Sequence, residues 1–256
     1  MCRKKHLLYF LIFIFFNCIF VSSLKADPTF NSAVSIEDEI QFSYGITFDD
    51  DGDKMYITGF NSSGANKGDR VIEYDLTTNY DVSSKSVSHT LTTDVSARPH
   101  DIRFNDDGTR MYLPMLNKTI KTFSLSTAYD LSTASLIDTS SIPSHSSTTE
   151  PSIEFNTNGT KVFIEDGKAI DEYDVATAFD LSSTLTYVDS LSFDFTATSM
   201  AFSDDGTVLF LLTQKSNDKS IYEYNLTTGF DLSTATYVDK FNVENEEYRP
   251  QGLAFN

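Results

Sequence analysis

Tryptophan is absent from this 256-residue chain, and its two cysteines, Cys2 and Cys18, both lie in the first 26 residues. If that leader is removed, disulfides, thiol catalysis and thiolate metal sites are all unavailable, and stability has to come from packing. The lack of tryptophan takes away the best platform for stacking on a sugar or base, a role left to tyrosine. No Gly-x-Ser-x-Gly elbow and no phosphate-cradling glycine loop occurs. His89 and His145 sit in Ser/Thr-rich stretches without metal-ligand spacing, so the sequence argues for no metal and no cofactor. Sustained helical periodicity is missing too, which argues against a helical repeat. Basic residues are few, 19 against 37 acids, for a formal charge of −18. Such a surface repels nucleic acid and anionic lipid and keeps a secreted protein dissolved.

What is present begins with the basic patch Met1-Cys2-Arg3-Lys4-Lys5-His6, followed by an almost wholly apolar run from Leu7 to Val21 and then Ser22-Ser23-Leu24-Lys25-Ala26. This reads as a signal peptide over residues 1–26. The run falls short of the roughly twenty residues a membrane span needs, and the small Ala26 suits cleavage. An uncleaved anchor is the alternative; a lipid anchor does not fit, because Phe15-Phe16-Asn17 precede Cys18. The expectation is a secreted or periplasmic protein, free of the membrane after cleavage, with one domain over residues 27–256. Cleavage would remove four basic residues and no acid, leaving 15 against 37 and a formal charge of −22.

That domain is repetitive. Phe48-Asp49-Asp50-Asp51-Gly52-Asp53-Lys54-Met55-Tyr56 returns as Phe104 to Tyr112, Phe155 to Phe163 and Phe202 to Phe210, always with four residues from aromatic to glycine and four more to the next aromatic. A second block follows each first one: Tyr74-Asp75-Leu76 to Tyr80-Asp81, Phe123 to Tyr129-Asp130, Tyr173 to Phe179-Asp180, and Tyr224 to Phe230-Asp231, with an invariant spacing of six. Alternating Ile-x-Phe predicts a strand, the Asp/Asn-Gly pair a tight hairpin, and the apolar stretches after it a second and third strand. A Ser/Thr-rich connector then leads to a fourth. Four antiparallel strands per unit describe a propeller blade. The prediction is therefore an all-β propeller of four-stranded antiparallel blades, with repeats near 43–97, 98–149, 150–196 and 197–248. A partial fifth is split between 249–256 and an outer strand over 33–42.

The Phe-x-x-Asp-Gly-Thr turn followed by an apolar strand resembles the repeats of YVTN-type and TolB-like propellers, over nearly the whole of residues 27–256. The Gly-His and Trp-Asp signature of WD repeats is missing. The resemblance implies a fold more than a function, since such propellers include scaffolds, lactonases, redox enzymes and cell-surface proteins. At the far end Arg249-Pro250-Gln251-Gly252-Leu253-Ala254-Phe255-Asn256 restarts the repeat, so the two middle strands of the fifth blade are expected to be missing. Three explanations stay open: a longer reading frame, a small ring closed by a two-stranded blade, or oligomerisation through the incomplete blade.

The Asp-rich turns lack the alternation and terminal Glu of an EF-hand and are read as turn residues, and Asp81, Asp130, Asp180 and Asp231 as turn or capping residues. More informative are the places where the copies disagree, at the starts of the innermost strands, which a propeller gathers around one axis. Arg98, His100, Asp101, Arg103, Glu150, Glu154 and Arg249 are the candidate ligand-binding residues; mutual salt bridging in a wet channel is the plainer account of them. No catalytic constellation is assigned. The main expectation is an exported, non-catalytic binding module whose partner is a protein or a surface glycan. The alternative is a propeller hydrolase, lactonase-like or glycan-cleaving, with a polar site at the channel mouth, where Asp101 and Glu154 would serve as a carboxylate pair.

Overall fold

The computed structural model describes residues 11–15, 18–20, 30–62, 68–93, 97–143, 151–165, 167–215, 218–246 and 249–255. Each repeat forms one four-stranded antiparallel meander, and the four meanders are the blades of a β-propeller. Blade I runs through Phe42–Phe48, Lys54–Asn61, Gly68–Leu76 and Lys85–Thr92 from the axis outwards. Blade II is built from Arg103–Phe104, Arg110–Met115, Thr119–Leu125 and Ala134–Ser141. Blade III comprises Ser152–Phe155, Lys161–Glu165, Ala169–Val175 and Leu185–Ser192. Blade IV comprises Ala197–Phe202, Val208–Lys215, Asp218–Leu226 and Ala235–Asn242. Among the described residues no helix is long and apolar enough to cross a membrane.

The two repeated blocks turn out to be one device. At each hairpin the glycine closes the turn with a left-handed backbone, φ +70 at Gly52 and +67 at Gly108, and the first turn residue accepts from the returning strand. Asn105 Oδ1, for example, accepts from the Arg110 N–H at 2.7 Å. The aromatic of the second block then packs flat on the glycine. Tyr129 donates its backbone N–H to the Gly108 carbonyl at 2.9 Å, and a Cβ on Gly108 would sit 2.3 Å from the Tyr129 ring. The following aspartates are caps: Asp81, Asp130 and Asp231 accept from the N–H two residues on and start short 3₁₀ turns, and Asp180 does the same for Ser182. The turn-and-cap reading of these carboxylates is thus what the structure has.

Apolar packing lies chiefly between blades. Tyr56 and Val71 of blade I pack with Ile102, Met111 and Leu113 of blade II, and Tyr112 of blade II packs with Ile153 and Val162 of blade III. No unit can bury its faces alone, which is why repetition and stability go together. Polar latches reinforce the joints: Tyr56 Oη donates to the Tyr129 carbonyl at 2.5 Å and Tyr112 Oη to the Phe179 carbonyl at 2.6 Å. Buried Glu73 accepts from the Leu131 N–H of the next blade at 2.8 Å while also holding Lys54.

A fifth sheet has the order Gly252–Ala254, Cys18–Phe20, Leu11–Phe15, Phe30–Ser35. Its outer strand lies earlier than the one expected over 33–42, because the chain turns at Ile36, whose carbonyl accepts from the Ile40 N–H at 2.8 Å. That turn sinks both isoleucines into the core of blade I. The middle positions, expected to be missing, hold Leu11–Phe15 and Cys18–Phe20; the rest of the leader lies outside the described residues.

Candidate functional site

Five innermost strands converge on the axis, and Arg103 crosses it. Its Nε donates to Glu154 Oε1 at 2.6 Å, and its Nη1 to Asp101 Oδ1 at 2.9 Å, to the Ile102 carbonyl at 2.7 Å and to the Ile46 carbonyl at 3.3 Å. Its Nη2 donates to the carbonyls of Met200 at 2.9 Å and Leu253 at 3.3 Å. One guanidinium therefore joins every blade and the fifth sheet, using the rigid fork of donors that lysine lacks. Asp101, two residues ahead of Arg103, completes the joint by accepting from the Ile153 N–H at 3.3 Å. Gly45 is required beside it, since a Cβ there would stand 2.5 Å from the Asp101 Cα.

A cavity of about 240 Å³ opens above this plug, at the end of the channel where the hairpin turns lie. The repeat phenylalanines Phe48, Phe104, Phe155, Phe202 and Phe255 form its wall, Arg103 and Glu154 its floor, and Asp50, Asp106 and Asp204 its carboxylate lining towards the turns. Tyr129 Oη donates to Asp50 Oδ1 at 2.8 Å and Thr157 Oγ1 to the Asp204 carbonyl at 3.3 Å. The side chain of Glu154 is 19 % exposed, against 2 % for Asp101. Burial pushes the Glu154 carboxyl up to about 7, against the opposing pull of Arg103 and with Asp101 adding to the rise. Burial raises Asp101 as well, again opposed by Arg103. Asp49 is pushed up to about 6 by burial, with Asp53 contributing. One cation facing two carboxylates leaves the floor with an excess negative charge, and the more exposed carboxylate is the one able to trade protons.

Of the expected site residues, Asp101, Arg103 and Glu154 are thus brought together, and only Arg103 and Glu154 reach the cavity. His100 and Arg98 lie at the opposite end of the channel. His100 is 1 % exposed, packs on Tyr44 at 5.0 Å between ring centroids and, among the described residues, has no hydrogen-bond partner for either ring nitrogen. Burial lowers its pKa to about 4, and the nearby Pro151 backbone opposes that shift without reaching hydrogen-bond geometry. Arg98 lies exposed over the Phe60 ring at 3.9 Å, Arg249 is exposed, and Glu150 falls outside the described residues. The cavity lined by Arg103 and Glu154 lies at the turn end of the channel. Missed by sequence reasoning were Asp50, Asp106, Asp204 and the phenylalanine wall, whose signal was the repeat itself: one Phe per copy at the same distance before the turn glycine. A carboxylate pair for glycan cleavage is not available, because Asp101 is buried beneath Arg103. No cluster of three His, Cys, Asp or Glu among the described residues is placed to hold a metal ion.

No protein-family model and no curated protein matches the chain. Among solved structures it is similar to a candidate 6-phosphogluconolactonase of Bacteroides uniformis, with 16% identity, TM-score 0.50, and 78% of this chain aligned to 55% of that one. A second candidate 6-phosphogluconolactonase, from Bacteroides fragilis, aligns at 14% identity and TM-score 0.50 over 82% of this chain and 56% of its own. A periplasmic gluconolactonase of Pseudomonas aeruginosa aligns at 14% identity and TM-score 0.47 over 78% and 53%. The chain spans little more than half the length of these proteins, and the likeness is one of fold. The expectation of a non-catalytic binding module is corrected in favour of its lactonase-like alternative, because two propellers whose fold the chain shares are named as candidate 6-phosphogluconolactonases.

Proposed function

We propose that this chain is a lactonase-like propeller hydrolase that opens a small lactone in the cavity at the turn end of its axis. The observation that carries the reading is Glu154, a largely buried carboxyl pushed up to about 7 at the floor of an axial cavity. A base that titrates near neutral pH is matched to proton transfer there. In its ionised form Glu154 takes a proton from a water as that water attacks the lactone carbonyl carbon. When the ring carbon–oxygen bond breaks, the same proton passes to the departing alkoxide, giving the hydroxy acid and restoring the carboxylate. Arg103 acts as a positioning residue, since it fixes Glu154 Oε1 and is itself fixed by four backbone carbonyls.

Kinship with YVTN-type and TolB-like propellers, suggested by the turn motif, and export from the cytoplasm, suggested by residues 1–26, belong to the same proposal. Mass spectrometry of the chain recovered from the cell exterior or periplasm tests export; a start at Asp27 supports it.

Lactone opening can be followed by titration of the acid released. The wild-type profile of kcat/KM should rise with pH through about 7, where Glu154 loses its proton. The Glu154→Gln variant, of the same shape, should fold normally and lose about 10²–10⁴-fold. Full activity in Glu154→Gln, or no lactone opened by the wild type, refutes the proposal.

A further inference from the structure

The charge of the cavity specifies the substrate beyond the reaction class. Among the described residues Arg103 is the one cation of the lining, and its guanidinium is committed: six hydrogen bonds tie it to Asp101, Glu154 and four backbone carbonyls. An incoming phosphate would find no cationic fork to receive it. It would instead approach Asp50, Asp106, Asp204 and Glu154 in a recess walled by aromatic rings, where low polarisability strengthens repulsion. The whole chain, at −18, adds to that field. The hydroxyls nearest the lining carboxylates point inward on the protein itself, Tyr129 onto Asp50 and Thr157 onto the Asp204 carbonyl. The acceptor capacity left over suits the O–H groups of a ligand.

We infer that the site takes an uncharged, hydroxyl-rich lactone and rejects a phosphorylated one, so that the chain differs in substrate charge from the 6-phosphogluconolactonases whose fold it shares. This inference rests on the lactonase reading.

The test uses the full chain and two matched pairs. Turnover is compared for glucono-1,5-lactone and its 6-phosphate after subtraction of spontaneous opening. Binding is compared for the inert ring analogue 1,5-anhydroglucitol and its 6-phosphate. The uncharged member of each pair should be favoured by about 10-fold or more at low salt, with the gap shrinking as salt is added. In the triple variant Asp50→Asn/Asp106→Asn/Asp204→Asn the gap should close by about the same factor, mainly through improved KM for the phosphate ester. Equal or better use of the phosphorylated lactone, or a gap that the triple variant leaves untouched, overturns the charge inference while the lactonase reading stands. Absence of turnover with a charge preference retained in binding overturns the lactonase reading and leaves the charge selection standing. If neither analogue binds and neither lactone is opened, both fall.

Discussion

The two ends of the axial channel are made from the same five strands, yet they differ in kind. At the strand starts the copies diverge, and the divergent residues pack against one another: His100 lies tilted against Tyr44 and is buried, and Gln214 and Gln251 bond each other at 3.1 and 3.2 Å. At the turn end the copies agree, and agreement makes a vessel, one phenylalanine and one polar hairpin from each repeat around the cavity. Between them stands Arg103, present in one copy alone. Regularity thus builds the wall and a single departure builds the floor. The lesson is that a site in a repeat protein is a composite of what recurs and what does not.

The largest way to break this contrast is to remove the plug. Arg103→Ala would leave Asp101 and Glu154 buried without their cation and four carbonyls without a donor. A loss of about 3–5 kcal/mol is expected from severing a buried ion-pair network on one side. Arg103→Lys should recover little, because an ammonium cannot span the axis to several strands at once. Urea unfolding at pH 8, above the value of about 7 to which Glu154 is pushed, measures this. A loss below about 1 kcal/mol would show that the blades hold the axis without the plug.

A smaller effect isolates the vessel wall. Gly108→Ala places a Cβ into the Tyr129 ring at 2.3 Å on a backbone with φ +67. The left-handed backbone alone costs an L-residue about 1–2 kcal/mol. Displacing Tyr129 also disturbs its carbonyl bond from Tyr56 and its hydroxyl bond to Asp50 at the cavity. We expect about 2 kcal/mol of destabilisation together with a weakened KM, and a change in stability without one in KM would separate the hairpin from the site.

Much of the architecture was legible in the chain. A glycine at fixed distances from two aromatics marked the hairpin, and the aspartate recurring after the second-block aromatic marked the caps at Asp81, Asp130, Asp180 and Asp231, because both are local backbone chemistry. Asp101, Arg103 and Glu154 stood out as departures from the repeat, but their partnership did not. The bonds of Arg103 reach 57 residues back to Ile46 and 150 forward to Leu253, and only the closed ring places those carbonyls side by side. Variation marked the strand starts, whereas the cavity lies at the turn end, where the repeat phenylalanines gather around the axis. The leader strands of the fifth sheet were beyond sequence reasoning as well, since an apolar run reads alike as an export signal and as a β-strand.

The smallest expected effect concerns His100, and it sharpens the comparison because it should touch stability and spare activity. Its folded pKa, about 4, lies below the ordinary 6.5, so the unfolded chain binds the proton more readily between those values. Protonation therefore costs folding: the contribution of His100 is neutral above about 6.5 and turns increasingly unfavourable as the pH falls towards 4. His100→Phe keeps the ring against Tyr44, removes two buried nitrogens that have no hydrogen-bond partner among the described residues, and deletes that titration. At pH 8 its stability should lie within about 1 kcal/mol of wild type, on either side, since lost polar burial offsets imperfect fit. On acidification the variant should gain relative to wild type, although both decline or rise together with the carboxylates they share. Denaturation midpoints at pH 5 and pH 8 decide it. Lactone opening should be unaffected at pH 8, because the ring lies beyond Arg103 from the cavity. A loss of activity in His100→Phe with stability intact would place chemistry at the strand-start end and overturn the assignment of the site to the turn end.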